Sequence, residues 1–445
     1  MKKLLKIVLI TAVFVLMSTA LFAFSACKCK HEWSEWQEVT AAQCEKEGAE
    51  ERTCNKCGEK EKKSVPALGH DVDTFPGMEA TCLRDGRTEQ KHCHRCNNIL
   101  VQSEVIPALG HKYENGKCVR CDDWEPTEGL EIIDYGYGIV VGFSSETPVD
   151  VYIPRNVMEI DDNVFANSNI LSVTMGGVEK IGSSAFYNCK NLTRVIFPDK
   201  RVNISSYAFG GCDNLQGVYI TDLRAWCETN FLAQYANPLY IAKKLYLNDK
   251  LVTDLVVPEK TTMIGGNTFE NCHSITSVTI PDSVESIRYD AFAGCMNLKK
   301  VTFGKGLTKI GNSVFASCYN LTEIDIPDGV KGIGYGVFYN CKSLKKVTFP
   351  NSVTKLEARM FVGCESLTEI EIPDSVQEIE YDMFYGCKSL KKVTFGKGLT
   401  KIGENIFAGC ESLTDIYFKG TPEQWAAIEI GENNDVLKSL KVNFI

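Results

Sequence analysis

The chain has few of the residue patterns on which enzymatic sites are built. It contains six histidines in 445 residues, and only His273 lies beyond residue 122. There is no H-E-x-x-H metalloprotease motif, no convincing phosphate-binding glycine loop and no dinucleotide fingerprint. Paired carboxylates and a Ser-His-Asp set are also absent as convincing constellations. We therefore expect a protein without catalytic activity.

An excess of positive charge is missing as well. The formal net charge is −9, which argues against a nucleic acid as the partner. Hydrophobic residues make up 44% of the chain, as in a folded soluble protein. One ordinary domain rarely reaches this length, whereas a repeat protein escapes the limit because its core extends along one direction.

The N-terminus has the features of a targeting segment. A basic start, MKKLLK, precedes the apolar stretch Ile7–Phe22. The following Phe24-Ser25-Ala26-Cys27 resembles a bacterial lipobox, although Phe24 is an imperfect residue at its first position. We expect residues 1–26 to be a signal peptide and Cys27 to be lipidated. Ordinary secretion and a retained membrane anchor are the alternatives. All three place the protein outside the cytoplasm, and we predict an extracellular, lipid-anchored protein at the bacterial cell surface.

Residues 27–122 are rich in cysteine and histidine and poor in aliphatic side chains. Two units repeat here, Cys44-x9-Cys54-x2-Cys57 and Cys82-x10-Cys93-x2-Cys96, closing in PALGH at His70 and His111, and a short third unit is His111-x6-Cys118-x2-Cys121. Three cysteines per unit suit internal disulfides poorly, whereas three cysteines and one histidine suit a closed structural zinc site. Nothing else in these units makes a core, so a covalent or metal staple is expected.

The grouping of these ligands stays open. One grouping joins each unit to the histidine that follows it: Cys44, Cys54, Cys57 and His70, then Cys82, Cys93, Cys96 and His111. The other uses the preceding histidine: His31 with Cys44, Cys54 and Cys57, and His70 with Cys82, Cys93 and Cys96, leaving His111, Cys118 and Cys121 incomplete. Disulfides across units, or a reduced or disordered segment, are the alternatives to zinc.

A 23-residue repeat follows. Its cysteines are Cys272, Cys295, Cys318, Cys341, Cys364, Cys387 and Cys410, and each opens a sequence such as CYNLTEIDIPDGVKGIGYGVFYN. Each turn buries about six apolar side chains, worth roughly 1.5–3 kcal/mol apiece. Ordering its backbone costs roughly 1–2 kcal/mol per residue, so a single turn cannot fold alone and the turns must stack.

This pattern resembles the BspA-like leucine-rich repeats of bacterial surface proteins over roughly residues 149–420, except for Gly304 and Gly396 at the usual proline position. The resemblance implies a repeat solenoid: a right-handed leucine-rich repeat superhelix with a parallel β-sheet on one face and irregular turns on the other. It also implies binding or adhesion at the cell surface, without an agreed ligand. The stacked cysteines are expected to be buried thiols, because equivalent side chains in a stack point the same way.

The predicted organisation follows these patterns. Its segments are a signal peptide (1–26), Cys/His-rich modules (27–122), a linker with a cap hairpin (123–148), a first repeat block (149–231), an insertion (232–248), a second repeat block (249–420) and a C-terminal cap (421–445). Short helices at Trp226 and Trp425 are expected to seal solenoid edges. Thr421 and Gln424 fit a capping box for the second of these helices.

The exposed strand positions alternate between basic and acidic turns, with a true period of 46 residues. They include Lys299, Lys300, Glu323, Asp325, Lys345, Lys346, Glu369, Glu371, Lys391, Lys392 and Tyr417. One interpretation is a self-neutralising charged ladder, since opposite charges on neighbouring strands attract. The other is a surface that binds a protein or glycan, the glycan version being weakened by the lack of exposed aromatics other than Tyr417. We expect a monomeric binding protein, with a structural spacer or zinc-binding lipoprotein as the alternative.

Overall fold

The computed structural model describes residues 29–121, 123–135, 137–144, 149–233 and 235–445. The predicted signal peptide and Cys27 lie outside these residues. The chain divides into two compact units, the second of which begins at His111. Within the described parts of the chain, no helix is long and apolar enough to cross a membrane.

The first unit consists of short antiparallel strands. They are β1 (Gln37–Thr40), β2 (Gly48–Thr53), β3 (Lys60–Val65), β4 (Val72–Phe75), β5 (Gly86–Arg87), β6 (Gln90–Cys93), β7 (Ile99–Val101) and β8 (Val105–Ile106). They form the sheets β1-β2-β3, β4-β6-β7 and β5-β8. The buried hydrophobic side chains among residues 29–110 are all cysteines, namely Cys44, Cys54, Cys82 and Cys93. These sheets therefore have no aliphatic core to hold them.

The second unit opens with two hairpins. They are β9 (Tyr113–Glu114) with β10 (Lys117–Cys118), and β11 (Leu130–Asp134) with β12 (Gly138–Phe143). The second is the hairpin expected before the repeats. Strand β12 also pairs in parallel with the first repeat, and Val140 is fully buried in the core that it starts.

The repeats contribute two strands per turn. In chain order these are β13 (Val149–Ile153), β14 (Val157–Ile160), β15 (Ile170–Met175), β16 (Lys180–Ile181), β17 (Arg194–Ile196), β18 (Asn203–Ile204), β19 (Gly217–Ile220), β20 (Asn230–Phe231), β21 (Leu245–Leu247), β22 (Lys250–Leu251), β23 (Asp254–Val256), β24 (Met263–Ile264), β25 (Ser277–Thr279), β26 (Ser286–Ile287), β27 (Lys300–Thr302), β28 (Lys309–Ile310), β29 (Glu323–Asp325), β30 (Gly332–Ile333), β31 (Lys346–Thr348), β32 (Lys355–Leu356), β33 (Glu369–Glu371), β34 (Glu378–Ile379), β35 (Lys392–Phe395), β36 (Lys401–Ile402), β37 (Asp415–Phe418), β38 (Glu429–Ile430) and β39 (Val442–Phe444). The helices are α1 (Leu223–Cys227), α2 (Leu239–Ala242), α3 (Pro422–Ala426) and α4 (Asp435–Ser439).

These strands build two parallel ladders. From β13 onward the odd-numbered strands follow one another along the first ladder and the even-numbered strands along the second, except that β22 pairs antiparallel with β21. The hydrogen-bonded pairing is interrupted within each ladder, for example between β27 and β29 and between β30 and β32. In the first ladder Val278 lies opposite Val301, and in the second Ile287 lies opposite Ile310. Both registers equal the 23-residue repeat. The predicted leucine-rich repeat solenoid is therefore confirmed, and the second ladder, whose strands have two residues each except for the four of β14, adds to the expected single sheet.

Beside its two strands, each of these turns carries a phenylalanine, and the rings stack from one turn to the next. From Phe269 to Phe407 the neighbouring rings are nearly parallel, with centroids 5.2–6.1 Å apart. Left-handed backbone lets the chain turn sharply around each ring, as at Asp290 (φ 53°) and Gly294 (φ 70°) on either side of Phe292. Stacked rings and aliphatic ladders make one core that runs from Val140 to Leu437.

The irregular segment after Ile220 stays within the stack. Strand β20 continues the second ladder and β21 the first, so the core is not interrupted. Helix α1 places the buried Trp226 ring edge-on to Phe197 and Phe231, and its indole nitrogen donates to the Thr268 carbonyl at 3.1 Å. Trp226 thus belongs to the core of this irregular turn, and the helix predicted there is confirmed.

The helix expected at Trp425 is present. Helix α3 begins with a capping box in which Thr421 and Gln424 bond reciprocally. Trp425 packs on Phe395 and Phe418, with ring centroids 5.8 and 5.3 Å away. Strands β38 and β39 then extend both ladders to the end of the chain.

Candidate functional site

The first unit contains two clusters of metal-ligand side chains. The first cluster consists of Cys29, His31, Cys54 and Cys57, and the second cluster of Cys44, His70, Cys93 and Cys96. Within each, the four ligand atoms all lie within 4.8 Å of one another. Bond lengths of about 2.3 Å to sulfur and 2.0 Å to nitrogen place tetrahedral zinc ligands roughly 3.5–3.8 Å apart. The Cys44 and Cys93 sulfurs are 3.6 Å apart, and Cys96 Sγ is 3.6 Å from His70 Nδ1, so the clusters fit zinc.

The same turn presents the C-x2-C pair in both clusters. Cys54 follows β2, its carbonyl accepts from Gly58 N at 2.9 Å, and Gly58 has φ 75°. Cys93 ends β6 and its carbonyl accepts from Asn97 N at 2.8 Å, with Asn97 at φ 57°. Each turn reverses the chain so that both cysteines of the pair point to one side.

The histidines reach the clusters through loop contacts. The PALGH segment folds back on the β1–β2 loop, where Gly69 N donates to the Cys44 carbonyl at 3.0 Å. This bond sets His70 beside Cys44. Backbone pairing of β4 with β6 brings Cys93 to the same place, because Val72 lies opposite Cys93.

Each clustered histidine faces a carboxylate on its other side. His31 and His70 direct Nδ1 at a cysteine sulfur, while Nε2 lies 3.6 Å from Glu59 and 3.0 Å from Glu45 respectively. Metal-bound histidines characteristically use a carboxylate in this way to fix the tautomer and raise ligand basicity. The arrangement therefore matches a metal site more closely than a chance grouping of polar side chains.

The second unit repeats this arrangement with His111. Its Nδ1 is 3.4 Å from Cys121 Sγ, and its Nε2 is 3.8 Å from the fully buried carboxylate of Asp123. Cys118 belongs to the same group. Asp123 also accepts a hydrogen bond from the Tyr152 hydroxyl, and burial together with this bond raises the pKa of Tyr152 well above its usual value.

The ionisation of the second cluster suits a cation. Burial acts to raise the pKa of Cys93, but the Cys96 backbone N–H and the His70 ring outweigh it and lower that pKa to about 5. The hydrogen bond with Cys93 is the largest cause that raises the pKa of His70 to about 9. Burial and the hydrogen bonds with Cys93 and Cys96 raise the pKa of Cys44 to about 12. A metal bound here would take the place of the protons held by His70 and Cys44.

The structure groups the ligands differently from both groupings considered on the sequence. The predicted Cys44, Cys54, Cys57, His70, Cys93 and Cys96 all lie in the two clusters. However, Cys44 joins Cys93 and Cys96 of the next repeat instead of Cys54 and Cys57 of its own. Cys82 is buried and is not a member of either cluster.

Sequence reasoning missed Cys29. It completes the first cluster with His31, ahead of the first complete repeat. The spacing of the cysteines could have revealed it, because a single cysteine lies one repeat ahead of each of the first two C-x2-C pairs. The two clusters therefore interlock, and the segment that carries Cys44 separates the ligands of the first cluster along the chain.

The cysteines of the solenoid carry no comparable chemistry. Each of several ladder thiols donates to the carbonyl of the phenylalanine in the preceding turn, as Cys341 does to Phe315 at 3.1 Å and Cys295 does to Phe269 at 3.2 Å. Burial raises the pKa of Cys341 to about 12. No disulfide occurs among the described cysteines. The predicted buried thiol ladder is confirmed.

The predicted binding residues lie on the outer surface of the first ladder, here called the polar face. They occupy or directly precede β27, β29, β31, β33, β35 and β37: Lys299, Lys300, Glu323, Asp325, Lys345, Lys346, Glu369, Glu371, Lys391, Lys392 and Tyr417. Their side chains alternate with buried Val and Ile along each strand. All are exposed except Lys392 and Tyr417, which are half-buried.

Charge pairing differs between the two ladders. On the second ladder Lys355 lies 2.5 Å from Glu380, and Lys401 lies 3.2 Å from Glu378. On the polar face Glu323 is in register with Lys346 and Glu369 with Lys392, yet these side chains make no ion pair within 4.0 Å among the described residues. Ion pairs between neighbouring turns thus occur on the second ladder, whereas these two in-register pairs of the polar face do not close.

A depression of about 620 Å³ lies in the polar face. The charged side chains Lys346, Glu369, Glu371, Asp374, Lys392 and Lys419 line it together with Thr348, Asn351 and Thr394. Lys419 bridges to Glu371 at 2.5 Å, and the Lys392 ammonium sits 5.0 Å from the centre of the Tyr417 ring. Both charge signs are therefore held in one concave patch that four turns build.

Comparison with known proteins concerns the solenoid. The model of the BspA type leucine rich repeat region matches in six copies, over residues 143–234, 240–367 and 354–429. A leucine rich cell surface protein from Faecalibacterium prausnitzii A2-165 shares 24% identity, over 69% of this chain and 97% of its own, with a TM-score of 0.39. A leucine-rich repeat protein from Bacteroides ovatus ATCC 8483 shares 21% (72% and 99%, TM-score 0.38), and one from Eubacterium ventriosum ATCC 27560 shares 20% (70% and 92%, TM-score 0.43). No curated protein matches the chain.

Proposed function

Because the chain belongs to the BspA-type leucine-rich repeat family, we propose that its solenoid is a non-catalytic scaffold that binds a protein at the cell surface. The observation that carries this proposal is the polar face, where basic and acidic rows alternate and the in-register pairs Glu323/Lys346 and Glu369/Lys392 form no ion pair within 4.0 Å among the described residues. Charges that stay unpaired in the free protein are available to a partner, and complementary charges steer association and fix register.

The shape of the polar face supports a macromolecular partner. Its 620 Å³ depression is open and polar, and the charged rows continue on both sides of it along several turns. A small ligand would gain little from so polar a depression, because tight small-molecule sites are largely apolar. A protein surface can contact several turns at once and so use the periodic charges together.

The test compares charge reversal on the two ladders. The full chain is screened against an array of host and microbial extracellular proteins, and binding is then measured for the double variant Lys346→Glu/Lys392→Glu. The matched control is Lys355→Glu/Lys401→Glu, which reverses the same charges on the second ladder. Loss of binding in the first variant alone is expected. Equal binding by both variants would remove the polar face as the site.

The proposed location rests on the leader and on the family resemblance. We propose that cleavage before Cys27 and lipidation of its thiol anchor the chain to the bacterial membrane. Mass spectrometry of the mature N-terminus decides this directly, since a diacylglyceryl-modified Cys27 has a characteristic mass. An unmodified N-terminus further along the chain would indicate ordinary secretion.

A second proposed function belongs to the first unit, which we propose to be a zinc-stabilised module. The paired carboxylates behind His31 and His70 favour this over disulfide staples. Native mass spectrometry of the reduced full chain, purified without added metal and then titrated with zinc, should show at least two tightly bound ions. Intermolecular or intramolecular disulfides with no zinc uptake would leave the first unit with a covalent staple instead.

A further inference from the structure

An exposed cluster of tyrosines lies where the two repeat blocks meet. Tyr235 and Tyr240 come from the segment between β20 and β21, and Tyr289 follows β26. Together with Asn267 and Glu270 they line a recess of about 370 Å³, here called the tyrosine recess. It lies beside the second ladder and is therefore separate from the polar face.

The rings of the tyrosine recess are held in fixed orientations. Tyr235 meets Tyr240 edge-on, with centroids 5.1 Å apart and planes at 90°. Tyr289 lies against the backbone of Gly266, where an added Cβ would sit only 2.7 Å from a ring atom. Even so, 38% of Tyr240 and 47% of Tyr289 remain exposed. Large rings that are positioned but left uncovered add little to the core and offer rigid contact area to a ligand.

The polar groups of the recess are also oriented. Asn267 donates to Glu270 Oε2 at 2.9 Å, and the backbone carbonyl of Asn267 accepts from Asn237 at 2.5 Å. Glu270 is half-buried and makes no ion pair with any described cation within 4.0 Å. Its second carboxylate oxygen is therefore available as an acceptor at the floor of an aromatic recess. Burial raises the pKa of Glu270.

We propose that the tyrosine recess binds one sugar residue of a glycan, with the rings of Tyr240 and Tyr289 against its C–H faces and Asn267 and Glu270 bonded to its hydroxyls. A pyranose combines apolar faces with a belt of hydroxyl groups, and the recess combines aromatic walls with a carboxylate and a carboxamide. Small-ligand sites are characteristically aromatic pockets of this size with a few placed polar groups.

A cationic side chain of a protein partner fits the recess less well. Recognition of cations relies on ring faces that converge around the charge, whereas Tyr235 and Tyr240 meet edge-on. Glycan binding at this position would give the solenoid a second site, independent of the protein-binding polar face.

The test uses the full chain on a printed array of bacterial and mammalian oligosaccharides, followed by titration of the best-bound soluble oligosaccharide. Tyr289→Ala and Tyr240→Ala are each expected to weaken binding about tenfold or more. Tyr385→Ala is the matched control, because that tyrosine is 49% exposed and lies outside the recess. It is expected to bind like the unmodified protein.

Two further variants distinguish the loss of glycan contacts from misfolding of the protein. Gly266→Ala displaces the Tyr289 ring without removing it and should also weaken glycan binding, with unchanged far-ultraviolet circular dichroism. Glu270→Gln keeps a hydrogen-bonding group and should reduce binding only a few-fold. Three results would each overturn the proposal. They are the absence of any bound glycan, equal binding by the Tyr289 and Tyr385 variants, and Tyr289-dependent binding of a lysine-rich peptide in place of glycans. Binding at the polar face is unaffected by all these changes, so failure here would not bear on the protein-binding proposal.

Discussion

Cysteine is abundant in both units, but its surroundings differ completely. In the first unit cysteines gather in threes with a histidine, and no aliphatic side chain among residues 29–110 is buried. In the solenoid the ladder cysteines occur once per turn, among buried Phe, Leu, Val and Ile, and donate to backbone carbonyls. Cysteine thus takes the place of a hydrophobic core in the first unit and packs inside one in the solenoid.

The difference teaches what each region needs in order to fold. The solenoid gains stability from each neighbouring turn, so its stability is spread along the stack. The first unit has too little buried apolar surface to offset its chain entropy and depends on a few strong local bonds. Loss of a few bonds should therefore unfold the whole first unit, whereas a change in the solenoid should destabilise mainly the neighbouring turns.

Metal removal should produce the largest effect. A chelator added to the reduced full chain should unfold β1 to β8, because structural zinc contributes about 10–16 kcal/mol in isolated zinc modules. Hydrogen exchange should show loss of protection in residues 37–106 and unchanged protection in the solenoid. Cys93→Ser should release one metal ion, whereas Cys318→Ser should release none. Protection of the first unit that survives reduction and chelation would contradict the comparison.

Thiol alkylation should separate the two cysteine classes next. After chelation at pH 8, the cysteines of the unfolded first unit should have an ordinary pKa of roughly 8.5 and react with iodoacetamide. Burial raises the pKa of Cys341 to about 12, so its thiolate fraction should be lower by more than about a thousandfold, and burial also blocks access. Peptide mass spectrometry should find the ladder cysteines unmodified until denaturant is added. The reactivity of Cys341 should rise as the pH approaches 12. Equal labelling of the first-unit and ladder cysteines at pH 8 would contradict the proposed difference between them.

Removing one ring from the stack should have a smaller and local effect. Phe338 is fully buried between Phe315 and Phe361, and Phe338→Ala should lower the free energy of unfolding by about 3–5 kcal/mol. Urea unfolding checks the magnitude, and hydrogen exchange checks that the loss centres on adjacent turns. The neighbouring exposed residue supplies the control, since Tyr339→Ala should change stability by less than about 0.5 kcal/mol. Metal content should be unchanged in both variants.

The smallest effect is expected at a single ladder thiol. Cys341→Ala removes a small buried side chain and its bond to Phe315, and should cost about 1–2 kcal/mol in urea unfolding. Cys341→Ser retains a donor for the same carbonyl and should cost less. A loss of fold or of metal in the alanine variant would show that the ladder cysteines have a role beyond packing.

The solenoid could be predicted because every turn repeats the same pattern of apolar residues. Equivalent positions such as Val278 and Val301 identify both the strand and its register, and one period determines the whole stack. The helices at Trp226 and Trp425 were also predictable, because helix spacing and a capping box are local signals. The second ladder was harder, since strands of two residues such as Lys309–Ile310 show no alternation that distinguishes them from a turn.

Ligand grouping and the tyrosine recess depend on contacts that no local pattern encodes. Cys44 meets Cys93 across 49 residues through the pairing of β4 with β6 and the fold-back of PALGH. Spacing within one repeat cannot distinguish this from closure within the repeat. Tyr235 and Tyr240 lie in the segment that departs from the 23-residue period, so no equivalent position elsewhere predicts their exposure.

The stacking of turns has a consequence for the reach of the molecule. Strands in a ladder are spaced by about 4.8 Å, so one added 46-residue pair of turns would lengthen the solenoid by about 10 Å and add one basic and one acidic row to the polar face. Variants that differ by whole pairs would differ in arm length and in valency while every turn stayed the same. A partner with repeated epitopes would then bind by avidity, and its apparent affinity would rise with the number of pairs.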